Sequence, residues 1–185
     1  MKTEILGVLE LGSIADGLAA LDAMVKAAPV TVLRAGSVNP GKFLILVGGD
    51  VASVEYSMDR GIEAGSRSVL DHLILKNIDP GVVSALEEKN EVADMETLGI
   101  LETLSITASI EAADMAVKAT GVDVVEIQSG HEMGGRAALK IAGSLGEVED
   151  AMRVMIPFVR DKKQYFSDAV ISSIHGDVKG FVYGN

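Results

Sequence analysis

The chain has 185 residues and a mass of 19.3 kDa, room for one ordinary domain or two compact ones of about 90 residues each. Apolar residues make up 48% and charged residues 23%, which excludes a disordered, collagen-like or linker-dominated chain. The 27 acidic against 16 basic residues give a net charge of −11, which disfavours a phosphate-tracking nucleic-acid binder, and the absence of cysteine excludes disulfides, thiolate zinc sites, thiol nucleophiles and Cys-ligated iron–sulfur clusters.

Met1-Lys2-Thr3-Glu4-Ile5-Leu6 lacks the apolar run of a signal peptide. The strongest apolar stretch, Phe43 to Val47, stops at Gly48-Gly49-Asp50, far short of the ~20 residues that span a bilayer. A soluble, cytoplasmic protein is expected, with neither membrane nor nucleic acid as partner. Residues 4–11 alternate as a strand, with Ile5, Gly7, Leu9 and Leu11 on one side. Ser13 is placed to cap a helix whose apolar stripe is Ile14, Leu18, Leu21 and Val25, and Pro29 ends it. Two strands follow at about 30–36 and 42–48, joined by a loop rich in Gly, Pro and Asn. Asp50 caps a second helix that should bury Val51, Val54 and Met58, and a last strand comes at about 68–75. Asn77 to Glu96, with Pro80 and several acids, forms a connector.

The same order then returns. Gly7-Val8-Leu9-Glu10 recurs as Gly99-Ile100-Leu101-Glu102, a shift of 92 that also carries Ser13-Ile14 onto Ser105-Ile106 and Val25-Lys26-Ala27 onto Val117-Lys118-Ala119. After a small insertion the shift is 94, taking Gly41-Lys42 onto Gly135-Arg136 and Val54-Glu55 onto Val148-Glu149. The chain is a tandem duplication. In the second copy the helical stripe reads Ile106, Ile110, Ala113 and Val117, with Gly121 as the stop. Ser144 with Glu147 forms a capping box ahead of Leu145, Val148 and Met152, and the last strand falls at about 166–174. The expected fold is α+β: two β-α-β-β-α-β units related to the ferredoxin-like arrangement, over 1–90 and 91–185, each a mainly antiparallel sheet with its helices on one side.

The repeated Gly-Val-Leu-Glu and Ser-Ile, with Asp22-Ala23-Met24-Val25-Lys26-Ala27-Ala28, Pro40-Gly41-Lys42 and Gly48-Gly49-Asp50-Val51, resemble a bacterial microcompartment shell domain. Two such domains in unpermuted order resemble the trimeric tandem-domain shell proteins, and among them the propanediol-utilisation type. The resemblance covers nearly the whole chain. It implies a homotrimer whose six domains form a flat pseudo-hexamer, tiling edge to edge with other microcompartment shell proteins around encapsulated enzymes. It also implies that the loops between the second and third strands surround a central opening for small metabolites. The residues so assigned are Ser37, Val38, Asn39, Pro40 and Gly41 in the first copy, and Gly130, His131, Glu132, Met133 and Gly134 in the second. Cluster-bearing relatives have a cysteine just before Pro-Gly-Lys; this chain has Asn39, and an amide cannot replace a thiolate, so no cofactor is expected. The family's lysine for contacts between neighbouring discs matches Lys26 and Lys118. Helix-terminal lysines also favour the negative end of the helix dipole, so the position admits a second reading.

Other chemistry is poorly supported. Gly36 to Lys42 reads G-x-x-x-x-G-K, but Phe43 stands where a phosphate loop needs Ser or Thr, a strand follows instead of a helix, and Pro40 removes an amide donor. His72, His131 and His175 make no metal-binding spacing; His72 reads as packing or polar filling in a strand, and His175 with Asp177 as a surface turn. Neither an enzyme active site nor a bound metal is expected. Near a threefold axis Glu132 would make a ring of three carboxylates that holds a cation or proton; pointing into solvent on a disc face it would not. Asn39 and Ser37 are the better candidates for a neutral polar lining. The competing function is a trimeric small-ligand-binding regulator, since duplicated β-α-β-β-α-β units also build metabolite sensors.

Overall fold

Gly12 and Ser13 break the first apolar strand, β1 (Ile5–Leu11), and the Ser13 side chain accepts from the Asp16 amide to start helix α1 (Ile14–Ala27). The computed structural model describes residues 5–38, 40–87, 90, 92, 95–129 and 133–182. After α1 come β2 (Thr31–Val38), β3 (Lys42–Gly48), α2 (Val51–Gly65), a short 3-10 turn and β4 (Val69–Lys76). These strands form an antiparallel sheet in the order β2-β3-β1-β4. The second copy repeats it with β5 (Thr97–Thr103), α4 (Ile106–Thr120), β6 (Asp123–Ser129), β7 (Ala137–Gly143), α5 (Leu145–Asp161) and β8 (Tyr165–Ser172), in the order β6-β7-β5-β8.

Two short helices were not expected. Helix α3 (Pro80–Glu87) lies inside the connector, and α6 (Gly176–Val182) follows β8. The chain divides into two compact units after Ile78, and the described turn at 133–135 groups with the first of them. The connector helix therefore belongs to the second unit, whereas the sequence reading ran the first domain to residue 90.

In the first unit, α1 and α2 pack on β1 and β3 through Leu9, Leu11, Ala20, Met24, Phe43, Ile45, Val47, Val54 and Met58. The apolar stripe on α1 does not lie where its spacing suggested. The buried residues are Gly17, Ala20 and Met24, Leu21 packs against the core, and Ile14, Leu18 and Val25 are exposed. The reason is close approach: a Cβ on Gly17 would stand 2.4 Å from Phe43 Cγ and 2.5 Å from its Cβ, so the helix meets the sheet on its small residues. Val51 and Leu145, expected inside, are also exposed at the first turns of α2 and α5, while Val54, Met58, Val148 and Met152 are buried as expected. The capping box at Ser144 forms, with the Glu147 amide donating to Ser144 Oγ and the Ser144 amide to Glu147 Oε2.

The copies solve one packing problem in opposite ways. Gly61 of α2 lies under Met24 of α1, whose Cγ and Sδ would stand 2.6 Å from a Cβ there. At the corresponding positions of the second copy, Ala116 replaces the methionine on α4 and Met155 replaces the glycine on α5, both fully buried. The large side chain has changed helices.

Candidate functional site: loop ends, paired charges and the outer helix face

The opening was assigned to the loops that join β2 to β3 and β6 to β7. Ser37 is exposed at the end of β2, Val38 is buried, and Pro40 and Gly41 form an exposed turn with Gly41 at φ +89°. Only a residue without a Cβ adopts that angle at little cost. In the second loop Met133 is half-buried, Gly134 is exposed at φ +59°, and Gly135 is buried at φ +83°. Asn39, Gly130, His131 and Glu132 lie outside the described residues.

Beside these loops sit two charge pairs to which the sequence reading gave no role. Lys42, first residue of β3, reaches Glu10 Oε1 of β1 at 2.7 Å, and its Nζ also donates to the Gly135 carbonyl at 2.9 Å. The pair is largely withdrawn from water, with side chains 19% and 3% exposed. The equivalents in the second copy are Arg136 and Glu102, at 3.2 Å, and they are 34% and 33% exposed. The Arg136 guanidinium lies 4.1 Å from the centre of the Phe166 ring, within cation–π range. The signal for both pairs was in the sequence: Glu10 and Glu102 close the repeated Gly-x-Leu-Glu, and Lys42 aligns with Arg136.

Lys26 and Lys118 occupy equivalent helix ends but different surroundings. Lys26 Nζ meets Asp22 Oδ2 at 2.6 Å across an exposed i,i+4 pair. Lys118 makes the same 2.6 Å contact with Asp114, whose side chain is only 6% exposed and whose other oxygen accepts from the Asp79 amide at 2.9 Å. The second lysine is thus tied to a buried, hydrogen-bonded anchor, the first to an exposed one.

The helix faces differ in the same sense. Ile14 and Leu18 are 44% and 55% exposed, whereas their equivalents Ile106 and Ile110 are 3% and 0% exposed. An aliphatic patch on α1 stands open where the matching patch on α4 is covered.

The remaining candidates are quiet. His72 is exposed on edge strand β4, not packed as expected. His175 is exposed, and its Nδ1 accepts from the Asp177 amide at 3.3 Å just ahead of α6, so the expected turn is a helix start. Among the described residues no cluster of three or more His, Asp or Glu side chains could hold a metal, and no helix is long and apolar enough to cross a membrane. A cleft of about 550 Å³ in the second unit is lined by Asp79, Gly81, Asn90, Asp123 and Val124 among others. Two of its polar side chains serve the chain's own backbone: Asn90 Nδ2 donates to the Gly81 and Val124 carbonyls, and Asp79 Oδ1 accepts from the Gly81 amide.

Two sheets of identical strand order, each with a capped helix pair and a positive-φ glycine before a basic residue, define the unit to be compared with known proteins. The BMC domain matches it twice, at residues 6–78 and 97–174. The chain belongs to the BMC domain family. It is 36% identical over 173 residues to the bacterial microcompartment shell protein PduT of Citrobacter freundii, covering 94% of each chain. A single-repeat match is to the carboxysome shell protein CcmK4 of Synechococcus elongatus, 41% identical over 71 residues, 37% of this chain and 60% of that one. Among solved structures, a microcompartment protein from Desulfitobacterium hafniense superposes with a TM-score of 0.87 at 38% identity, covering 97% of this chain and 99% of the other. The resemblance read from the repeated motifs and the α+β tandem fold are both borne out.

Proposed function

We propose that three copies of the chain close head to tail into a pseudo-hexameric ring that tiles a facet of a bacterial microcompartment shell. The role is structural: a BMC-domain shell protein acts by filling area and by leaving a hole of fixed size, and needs no catalytic group. The observation that carries the trimer is the open patch on α1. Ile14 and Leu18 project into water, while the same positions on α4 are covered. Burying two such side chains is worth about 1.5–3 kcal/mol each, enough to favour association wherever a partner surface fits. A ring of three serves that patch in every chain at once and leaves no unmatched end.

In this ring the loop segments 36–41 and 129–135 alternate around the axis and line an opening for small polar metabolites. Ser37, Asn39, Pro40 and Gly41 supply one half of the lining, and His131, Glu132, Met133 and Gly134 the other. Lys26 and Lys118 lie at tile edges, where their ammonium groups reach carbonyls of neighbouring shell proteins. The assembled shell encloses enzymes in the bacterial cytoplasm. With no thiolate in the chain, it lacks the ligands of a Cys-bound iron–sulfur cluster.

Sedimentation equilibrium tests the ring. The parent should sediment at about 58 kDa, three chains of 19.3 kDa, and Leu18→Glu should shift it toward single chains with unchanged far-UV circular dichroism. A parent that stays monomeric at every concentration, alone or mixed with other shell proteins, would refute it.

A further inference from the structure

We infer that the face of helix α6 bearing Val178 and Phe181 seats on strand β2 of a second copy of this chain, as α3 seats on β6 within one chain. The inference rests on the ring reading and names the surfaces that meet at its joint.

The sequences of α3 and α6 differ, but their places in the fold match. One shift of 96 carries Val69 onto Tyr165 at the strand starts, Ile78 onto Ile174, and Val82, Ala85 and Leu86 of α3 onto Val178, Phe181 and Val182 of α6. Strand pairing gives the same frame, since Leu9 faces His72 where Leu101 faces Asp168. The three helix positions are spaced i, i+3, i+4 and so share one side. On α3 all three are buried, and α3 packs against β6. On α6 only Val182 is buried, among Leu98, Val125 and Ala142 of its own sheet, and Lys140 Nζ donates to its carbonyl. Val178 and Phe181 are 44% and 75% exposed, against 0% and 3% for Val82 and Ala85. One end of α6 is held, and the rest of its apolar side stands in water.

The strands correspond in the same way. Val32 pairs with Val47 as Val124 does with Ile141, and Arg34 pairs with Leu46 as Glu126 does with Lys140, so β2 and β6 share one register. Val124 through Ile127 are buried on β6, whereas Val32, Arg34 and Ala35 are exposed on β2. Asn90, beyond α3, donates to the Val124 and Val125 carbonyls of β6. On the adjoining helices, Asp114 accepts from the Asp79 amide ahead of α3 and is buried, while its counterpart Asp22 is exposed. One chain thus holds a helix face without a strand and a strand without a helix. The covered pair, α3 on β6, shows that such surfaces fit, and a second copy supplies the missing half at every joint of a ring. Bulk also balances: Ile127 of β6 becomes Ala35 on β2, and Ala85 of α3 becomes Phe181 on α6.

The chain has neither tryptophan nor cysteine, so one of each can be introduced as a unique probe. Phe181→Trp chains are mixed with Val32→Cys chains that carry a nitroxide, and separately with Leu70→Cys chains labelled in the same way. Leu70 is also exposed, but on β4 at the opposite edge of that sheet, three strands or about 14 Å away. Mixed trimers, identified by native mass spectrometry, should lose tryptophan emission to the label on Val32→Cys and keep it beside the label on Leu70→Cys. In an otherwise unaltered chain, Phe181→Ala should raise the concentration at which trimers dissociate at least about tenfold, with the parent's far-UV circular dichroism. Should the label keep Val32→Cys chains out of trimers, Phe181→Ala decides alone. Mixed trimers equally bright with both labels, or equally quenched by both, overturn the seat and leave the ring standing. A Phe181→Ala trimer that dissociates like the parent does the same. A parent that never forms a trimer overturns both this contact and the ring.

Discussion

Exchanging the large and small residues between α1 and α2 tests whether the duplicated helix pair has one packing solution or two. In the first copy Met24 fills the space over Gly61, and both residues are fully enclosed. Met24→Ala removes Cγ, Sδ and Cε from that space and should cost about 2–5 kcal/mol, the transfer loss plus the cavity left behind. Gly61→Met, made alone, puts a second thioether where one already sits within 2.6 Å of the new Cβ, and overpacking of this kind costs about 1–3 kcal/mol. Independent effects would leave the double variant about 3–8 kcal/mol below the parent. The second copy states what should happen instead: alanine at the α4 position and methionine at the α5 position fill the same crossing. The double variant conserves volume and should lie within about 1.5 kcal/mol of the parent, so the coupling measured by a double-mutant cycle is favourable and of several kcal/mol. Urea unfolding of all four proteins, followed by far-UV circular dichroism, gives the cycle. A double variant as unstable as the sum of the single ones would refute the idea that the copies carry interchangeable packings.

Acid should loosen both caps at the starts of α2 and α5. The Ser53 hydroxyl and amide hold Asp50 below its ordinary 3.8, and the Ser144 hydroxyl and amide hold Glu147 below its ordinary 4.5. A carboxylate depressed by folding contributes stability that is present above its unfolded pKa and is lost as pH falls through the folded one. The melting temperature should therefore be level in this respect above about pH 5 and fall below pH 4. Asp50→Asn with Glu147→Gln should flatten that acid limb, and an unchanged limb would contradict the assignment. To test the proposed edge contact, Lys26→Ala should leave stability within about 0.5 kcal/mol, because its partner Asp22 is exposed and such pairs contribute little. The same variant should abolish ordered sheets in electron microscopy while trimers persist; sheets that form as in the parent would remove Lys26 from the edge.

Most of the fold could be read from the sequence because the two copies corroborate one another. Ser13 and Ser105, Asp50 and Ser144 all cap as expected, and Gly121 ends its helix in the left-handed region at φ +78°. What periodicity could not supply was the side on which α1 packs. Its most apolar stripe and its buried stripe differ, because Gly17 and Ala20 allow a close approach that Ile14 and Leu18 would block. A stripe of aliphatics on a helix reports only that something covers it, and the sequence of one chain does not say whether that is its own sheet or a neighbour. The short helices α3 and α6 escaped for a different reason: their sequences lie outside the repeated motifs. Val82 and Leu86 in α3 and Val182 in α6 are buried, while Val178 and Phe181 of α6 are exposed, and eight and seven residues give too little periodicity to recognise.

Proline and glycine mark the two loops as turns, and their assignment to an opening comes from the resemblance alone, whereas the charge pairs beside them passed unnoticed because a lysine at a strand start has an ordinary solvated reading. Duplication gives those pairs their meaning. In a duplicated chain the two equivalent positions separate, and each can change alone. Here the first carries lysine, held by a glutamate almost wholly out of water, and the second carries arginine, lying over a ring and still partly exposed. A lysine is the economical donor where the protein already encloses it, since its single charged tip needs few partners. Arginine suits the more open position, because its charge is weakly hydrated and its planar fork can hold Glu102 and face Phe166 at once.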